Sequence, residues 1–198
     1  MGNGKTFTLA DGVVAVYQTD HAWDWYSTFD QGGVQPSERY WANAQLDARD
    51  YAGAEFYQWD KTWVIYLDAP TLPGQHAGGA STGLSGICVL TGKDTDALMG
   101  EDPQWTVCRE IGGCTHEYLH THNLPHPPPG PDFGRAVMGT GYGIYPDCVL
   151  LDADKQRLDV NPFFDERAKL PAPHNLCPFD GRVVRPPRPR PTPRPWRN

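Results

Sequence analysis

No stretch of the chain approaches the roughly 20 apolar residues that a helix needs to cross a bilayer, and the first residues have neither the basic start nor the apolar run of a secretion signal. A membrane partner is therefore not expected. The five cysteines (Cys88, Cys108, Cys114, Cys148, Cys177) contain no C-x-x-C pair, which excludes a zinc ribbon or a thioredoxin-like redox site. Gly4-Lys5-Thr6 lacks the upstream glycine and the preceding strand of a phosphate loop, and the match of Gly2 and Thr6 to an acylation start is short enough to arise by chance. Positive charge is scarce in the body. Of 17 basic residues, six arginines stand in 181–198, where there is no acid, so residues 1–180 hold 11 basic against 24 acidic side chains. An acidic body disfavours the phosphate backbone, and no nucleic-acid partner is expected.

What is present suits one folded domain. At 198 residues the chain can bury a real core. Its 21 glycines and 20 prolines, with seven tryptophans, point to a globular body with many irregular connections rather than a helical bundle. One or two disulfides are expected among the five cysteines, but not between Cys108 and Cys114: six residues apart on one helix, they lie roughly 240° apart in azimuth.

Along the chain, Phe7 to Leu9 and Val13 to Tyr17 read as strands joined at Asp11-Gly12. Pro36-Ser37, then Glu38 and a run to about Tyr51, predict the first long helix. Thr62 to Leu67 predicts a short central strand, and Ile87 to Leu90 a second one. Between them, residues 73–86 are glycine-rich and predict a loop whose edge can hold an extended peptide, with a plain connector as the commoner use of such sequence. Gln104 to His122 predicts a helix through the middle of the protein. Within it Gly112-Gly113 costs roughly 1 kcal/mol per glycine relative to alanine, a loss that close approach of another backbone would justify. Asp152 to Leu158 and Asn161 to Lys169 predict two short helices. From Arg182 the text is proline and arginine in alternation, unable to bury a core; we expect polyproline-like disorder that can dock on another protein, with a solubilising tail as the default.

The chemistry concentrates in His116-Glu117-Tyr118-Leu119-His120-Thr121-His122-Asn123-Leu124-Pro125-His126. Imidazoles four residues apart on a helix lie only about 40° apart and can grip one metal ion, which leaves Glu117 beside the ion to handle water. A catalytic zinc takes three protein ligands and keeps a fourth position for water. His126 supplies the third if Asn123, a residue type that tolerates the left-handed conformation, ends the helix and turns the chain back. His122 should point to the other side of the helix and be exposed; His76 and His174 have no evident partner, and His21, in an aromatic stretch, reads first as surface packing under a loop.

The spacing H-E-x-x-H-x-x-N-x-x-H resembles the long zinc signature of the metzincin metallopeptidases, with Asn123 where glycine is usual. Twelve residues past His126, Val137-Met138-Gly139 resembles their methionine turn, and the glycine pair before the helix is similar to a poorly characterised bacterial group of metzincin-like proteins. The likeness covers roughly 104–170. It implies an α+β zincin fold with a mixed sheet, a long helix and a zinc-binding helix, and a small irregular C-terminal lobe. The upper lobe would span about 1–126, the lower lobe about 127–180, and the tail 181–198. It also implies a secreted or extracellular zinc metalloendopeptidase acting on peptide or protein substrates, with His116, His120 and His126 as zinc ligands, Glu117 as general base and Met138 as the floor. Tyr142, with Tyr145 competing, is the candidate to stabilise an oxyanion, and Asp147 is a candidate partner for a ligand imidazole. An aspartate-type zincin fails because Tyr142 stands where its ligand aspartate should follow Gly139-Thr140, and Glu166 as a glutamate ligand lacks its context. Two other readings remain: a zincin-fold binding protein without proteolytic role, and a zinc amidase or deacylase acting on a small substrate.

Overall fold

The computed structural model describes residues 6–7, 14–56, 58, 60–75, 78–81, 83 and 85–165. Its elements are α+β: strand β1 (Thr6–Phe7), helices α1 (Trp25–Thr28) and α2 (Arg39–Ala52), strands β2 (Trp63–Tyr66), β3 (Gly78–Ser81) and β4 (Gly86–Leu90), helices α3 (Gly92–Met99), α4 (Val107–His120) and α5 (Asp152–Asp159), and strand β5 (Phe164–Asp165). The expectations for the Asp11-Gly12 turn, His76, Glu166, His174, Cys177 and the proline-arginine tail lie outside the described residues.

The three-stranded sheet is mixed, with β4 between a parallel β2 and an antiparallel β3. All five residues of β4 are buried, whereas β2 alternates and leaves Tyr66 58% exposed. The centre of the sheet is thus β4, and β2, expected to be central, is an edge among the described strands. Its apolar run reflects Trp63 and Ile65 packed on the core from one face and Val64 and Tyr66 on the other.

Two cores flank α4. One gathers Tyr26, Tyr40, Ala44, Ala69, Ile87 and Val89 between α2 and the sheet. Tyr40 is fully buried, and its hydroxyl donates to the carbonyls of Ala69 (2.8 Å) and Leu67 (3.2 Å), so no polar atom is left unpaired by its burial. Asn43, equally buried, donates to the carbonyls of Tyr26 and Phe29 and so fixes the end of α1. The other core joins Leu119 and Leu124 to Val137, Met138, Cys148, Leu150 and Leu158. Each such side chain contributes about 1.5–3 kcal/mol on burial.

Several segments differ from expectation. Residues 14–19 are not a strand: Val14 and Val16 are 78% and 90% exposed, and Phe7 pairs instead with Phe164 through β1 and β5. That pairing also replaces the start of the helix expected from Asn161 to Lys169, of which 166–169 lie outside the described residues; the Asn161 side chain accepts from the Phe163 amide at 2.9 Å and caps a turn. The glycine-rich connector contains β3, because a strand of small residues is what can lie against α4. The run from Pro36 begins as a 3-10 turn (Pro36–Glu38) before α2 takes over, and α2 closes at Gly53 with φ 65°. Helix α3 was not foreseen, although Thr91 and Asp94 form a reciprocal capping box and Gly100 (φ 74°) ends it.

Candidate metal centre

Helix α4 starts at Thr106, whose side chain accepts from the Arg109 amide, and presents His116 and His120 on one face. Its glycine pair has a structural reason at the first member: a Cβ on Gly112 would stand 2.1 Å from the Tyr142 carbonyl oxygen, so only glycine lets the segment Gly141–Ile144 lie against the helix. On the opposite side a Cβ on Gly79 would stand 1.7 Å from the carbonyl oxygen of Glu117, so β3 rests directly on the helix backbone at the base.

After His120 the chain makes one more turn. Asn123 takes φ 61°, the left-handed conformation, and the Leu124 amide donates back to the Leu119 carbonyl at 3.4 Å. Pro125 and His126 therefore run back toward the helix. The Nε2 atoms of His116, His120 and His126 lie 3.1 Å from one another, all three pairs alike. The Nδ1–H of His116 donates to the Val137 carbonyl at 2.6 Å, and that of His120 to the Leu124 carbonyl at 2.7 Å. Those bonds set the tautomer: in both rings Nε2 carries a lone pair and no proton, and both lone pairs converge on the same point as His126 Nε2.

This arrangement fits a metal ion. A tetrahedral zinc with nitrogens at about 2.0–2.1 Å requires a nitrogen-to-nitrogen edge of ~3.3 Å, close to what the histidines adopt. Burial holds His116 down at about 4, against the opposing effect of its bond to Val137; burial also lowers His120, so both are neutral ligands at neutral pH. The three histidines can hold an ion, and they grade from buried His116 to exposed His126, which leaves one side open.

Glu117 points across from the histidines into the same cavity, where the Gly79 amide donates to its Oε2 at 2.9 Å. Burial pushes its carboxyl up to about 7, partly offset by that hydrogen bond. Val137 and Met138 form the middle of a turn closed by the Gly139 amide on the Ala136 carbonyl (2.9 Å); Met138 is fully buried, with Leu119 of α4 in the same core. Tyr142 stands with its ring centroid 5.1 Å from that of His116 and lines the cavity; both it and Tyr145 pack against the core that holds Met138.

Three expectations need correction. Asp147 is exposed, and the partners that orient the imidazoles are two main-chain carbonyls instead. His122 does point away from His120, but it is 3% exposed: Phe7 stacks on it at 4.4 Å and Asn161 Nδ2 donates to its Nδ1 at 3.2 Å. Among the described residues there is no disulfide; Cys88, Cys108, Cys114 and Cys148 are free thiols. The residues that the sequence did not single out are Gly79, which holds Glu117, and the carbonyls of Val137 and Leu124, which carry no side-chain signature.

In comparison with known proteins, no family model, no curated protein and no solved structure gave a significant match. The site stands on its own geometry: three histidines that can hold a metal ion, at the end of one helix in an α+β fold.

Proposed function

We propose that the protein is a zinc-dependent metallopeptidase of metzincin type. The observation that carries this reading is the convergence of three imidazole Nε2 atoms at 3.1 Å, two of them fixed as acceptors, beside a carboxylate already oriented by a backbone amide. Bound there, zinc would supply Lewis acidity, lowering the pKa of a water and polarising a carbonyl.

The chain's own groups do the rest. Glu117 takes the proton of the attacking water and hands it to the leaving amine, a shuttle served by its place in the cavity that the three histidines line. Gly79 keeps the carboxylate from rotating away. Tyr142, at the junction of two cavities, is placed to donate to a developing oxyanion. The residues to about 126 form the upper lobe, those from about 127 to 180 the lower lobe, and 181–198 a tail available to a partner protein. The acidic body suits a peptide rather than a nucleic-acid substrate, and we place that substrate outside the cell.

An extended substrate is favoured over a compact one because cavities of about 500 and 580 Å³ share His116, Glu117 and Tyr142 and so continue to either side of the histidines. The test is metal analysis together with cleavage of unselected peptides by the chain and by Glu117→Gln. About one zinc per chain, cleavage abolished by chelator and restored by zinc, and a loss of at least 100-fold in the variant support the reading. Full activity in Glu117→Gln removes the assigned base.

A further inference from the structure

We propose that the second cavity is a carboxylate-binding subsite anchored by Arg109, and that it selects peptides carrying a carboxylate just beyond the bond to be cut. The inference rests on the peptidase reading for its purpose, and on the cavity's own side chains for its chemistry.

Arg109 sits on α4 seven residues before His116, almost two full turns, and therefore on the same face about 10 Å along the axis. Its guanidinium is held in place. It stacks over Trp105 at 3.6 Å, lies 5.6 Å from the Tyr142 ring, and uses one nitrogen, Nη1, to meet Glu110 Oε2 at 2.7 Å. Lys93 places its ammonium 3.9 Å from the same Trp105 ring, so one indole collects two cations at the rim of the cavity. In a body that is acidic overall, these two cations gather at one rim of a cavity that also reaches the metal site.

The cavity also contains acids, Glu117 at its metal end and Glu110 and Asp94 beside the cations, where exposure decides which charge a ligand meets. Glu110 and Asp94 are 1% and 5% exposed. Asp94 Oδ2 accepts from the Thr91 amide and hydroxyl, Glu110 accepts from Arg109 and from the Cys114 thiol, and the two carboxyls share a hydrogen bond with each other. The Arg109 side chain is 27% exposed and keeps most of its fork for another partner. Burial beside Asp94 also pushes the Glu110 carboxyl up to about 7, so near neutrality it only partly offsets the arginine's charge.

The distance identifies the class of ligand. The cavity is lined from His116 and Glu117 through Gly113 to Arg109, with the Glu110 carboxyl beside Gly113. About 10 Å is the reach of two to three extended residues. A carboxylate at Arg109 therefore belongs either to the free C-terminus of a short leaving peptide or to an acidic side chain in it.

The test is calorimetric titration of the full chain, zinc-loaded and chelated, with three probes: N-acetyl-dialanine as the free acid, its C-terminal amide, and N-acetyl-glutamyl-alaninamide. Binding of the free acid or of the glutamyl probe at least tenfold tighter than of the neutral amide, weakening with salt and lost in Arg109→Gln, supports the subsite, and whichever of the two binds tighter names the source of the carboxylate. Equal binding of all three probes, or full binding in Arg109→Gln, overturns it. Should Arg109→Gln fail to fold, Lys93→Gln decides: a threefold or greater loss for the acidic probes alone supports the subsite, and no change overturns it. Cleavage of neutral peptides without preference for acidic ones removes this inference and leaves the peptidase reading. Arginine-dependent carboxylate binding with no cleavage of any peptide does the reverse.

Discussion

Gly79 and Glu117 meet twice, at 2.9 Å between the Gly79 amide and the Glu117 carboxylate, and again where the Gly79 α-carbon rests on the Glu117 carbonyl so closely that a Cβ there would stand 1.7 Å away. The strand and the base are one unit. Gly79→Ala must lift the strand from the helix and take the hydrogen bond with it. A displacement of the order of 1 Å costs up to about 100-fold in rate. We expect peptide cleavage to fall tenfold or more while zinc content stays at the wild-type level; a variant with unchanged cleavage would show that the amide does not hold the base.

Asn123 is the one described non-glycine residue with positive φ, at 61°, and it lies between His120 and His126. Alanine pays roughly 1–2 kcal/mol to adopt that conformation, glycine little. Asn123→Ala is expected to weaken zinc binding by about 5- to 30-fold in a competition titration, whereas Asn123→Gly keeps it within a few-fold. Equal affinities in the two variants would separate the turn from the third ligand.

Glu110 offers a test by pH. Its carboxyl is raised by burial from the usual carboxylate value of 4.5 to about 7, so the folded state holds a proton that the unfolded state has lost. The sign follows: this group's contribution to stability is present below about 4.5 and is lost as the pH rises through 7. Glu110→Gln removes the dependence. The melting temperature of the variant, relative to wild type, should therefore climb from pH 5 to pH 8, and a constant difference across that range would contradict a buried, protonated Glu110.

Met138 is fully buried in the core that also holds Leu119 and Val137. Met138→Ala should cost about 2–5 kcal/mol and Met138→Leu less than about 1.5 kcal/mol. In a chain of this size each kcal/mol moves the melting temperature by roughly 2–4 °C. Because the Val137 carbonyl next to it holds His116, the alanine variant should also lose zinc affinity, and a destabilised variant with unchanged affinity would show that the turn supports the fold alone.

The site was legible where its logic is local. Two histidines four apart, a carboxylate between them and an asparagine that can turn a helix all act within one stretch of chain, and His116, His120 and His126 do come together. Gly112 was legible for a similar reason, since a costly residue inside a helix implies a close neighbour, here the Tyr142 carbonyl. What failed depends on segments distant in sequence. The azimuth of His122 followed from the helix, but the side it points to is covered by Phe7 and by Asn161, from the two ends of the described chain. Val14 to Tyr17 had strand-like composition and no partner strand in the described fold, while Gly78–Ser81 had loop-like composition and a partner in β4. Helix α3 is a different failure: its capping box is a local signal, with aspartate in the place where glutamate or glutamine is more familiar.

The proton positions on His116 and His120 are set by the carbonyls of Val137 and Leu124, and no codon change can delete a carbonyl. The tautomer is thus insulated from point substitution at its own partners, in contrast to sites where an aspartate performs that task. Its exposure is to a different kind of mutation. A residue inserted or lost between 126 and 137 would rotate the Val137 peptide out of register and return His116 to a choice of tautomers, so the span between the third histidine and the turn should tolerate changes of side chain far better than changes of length.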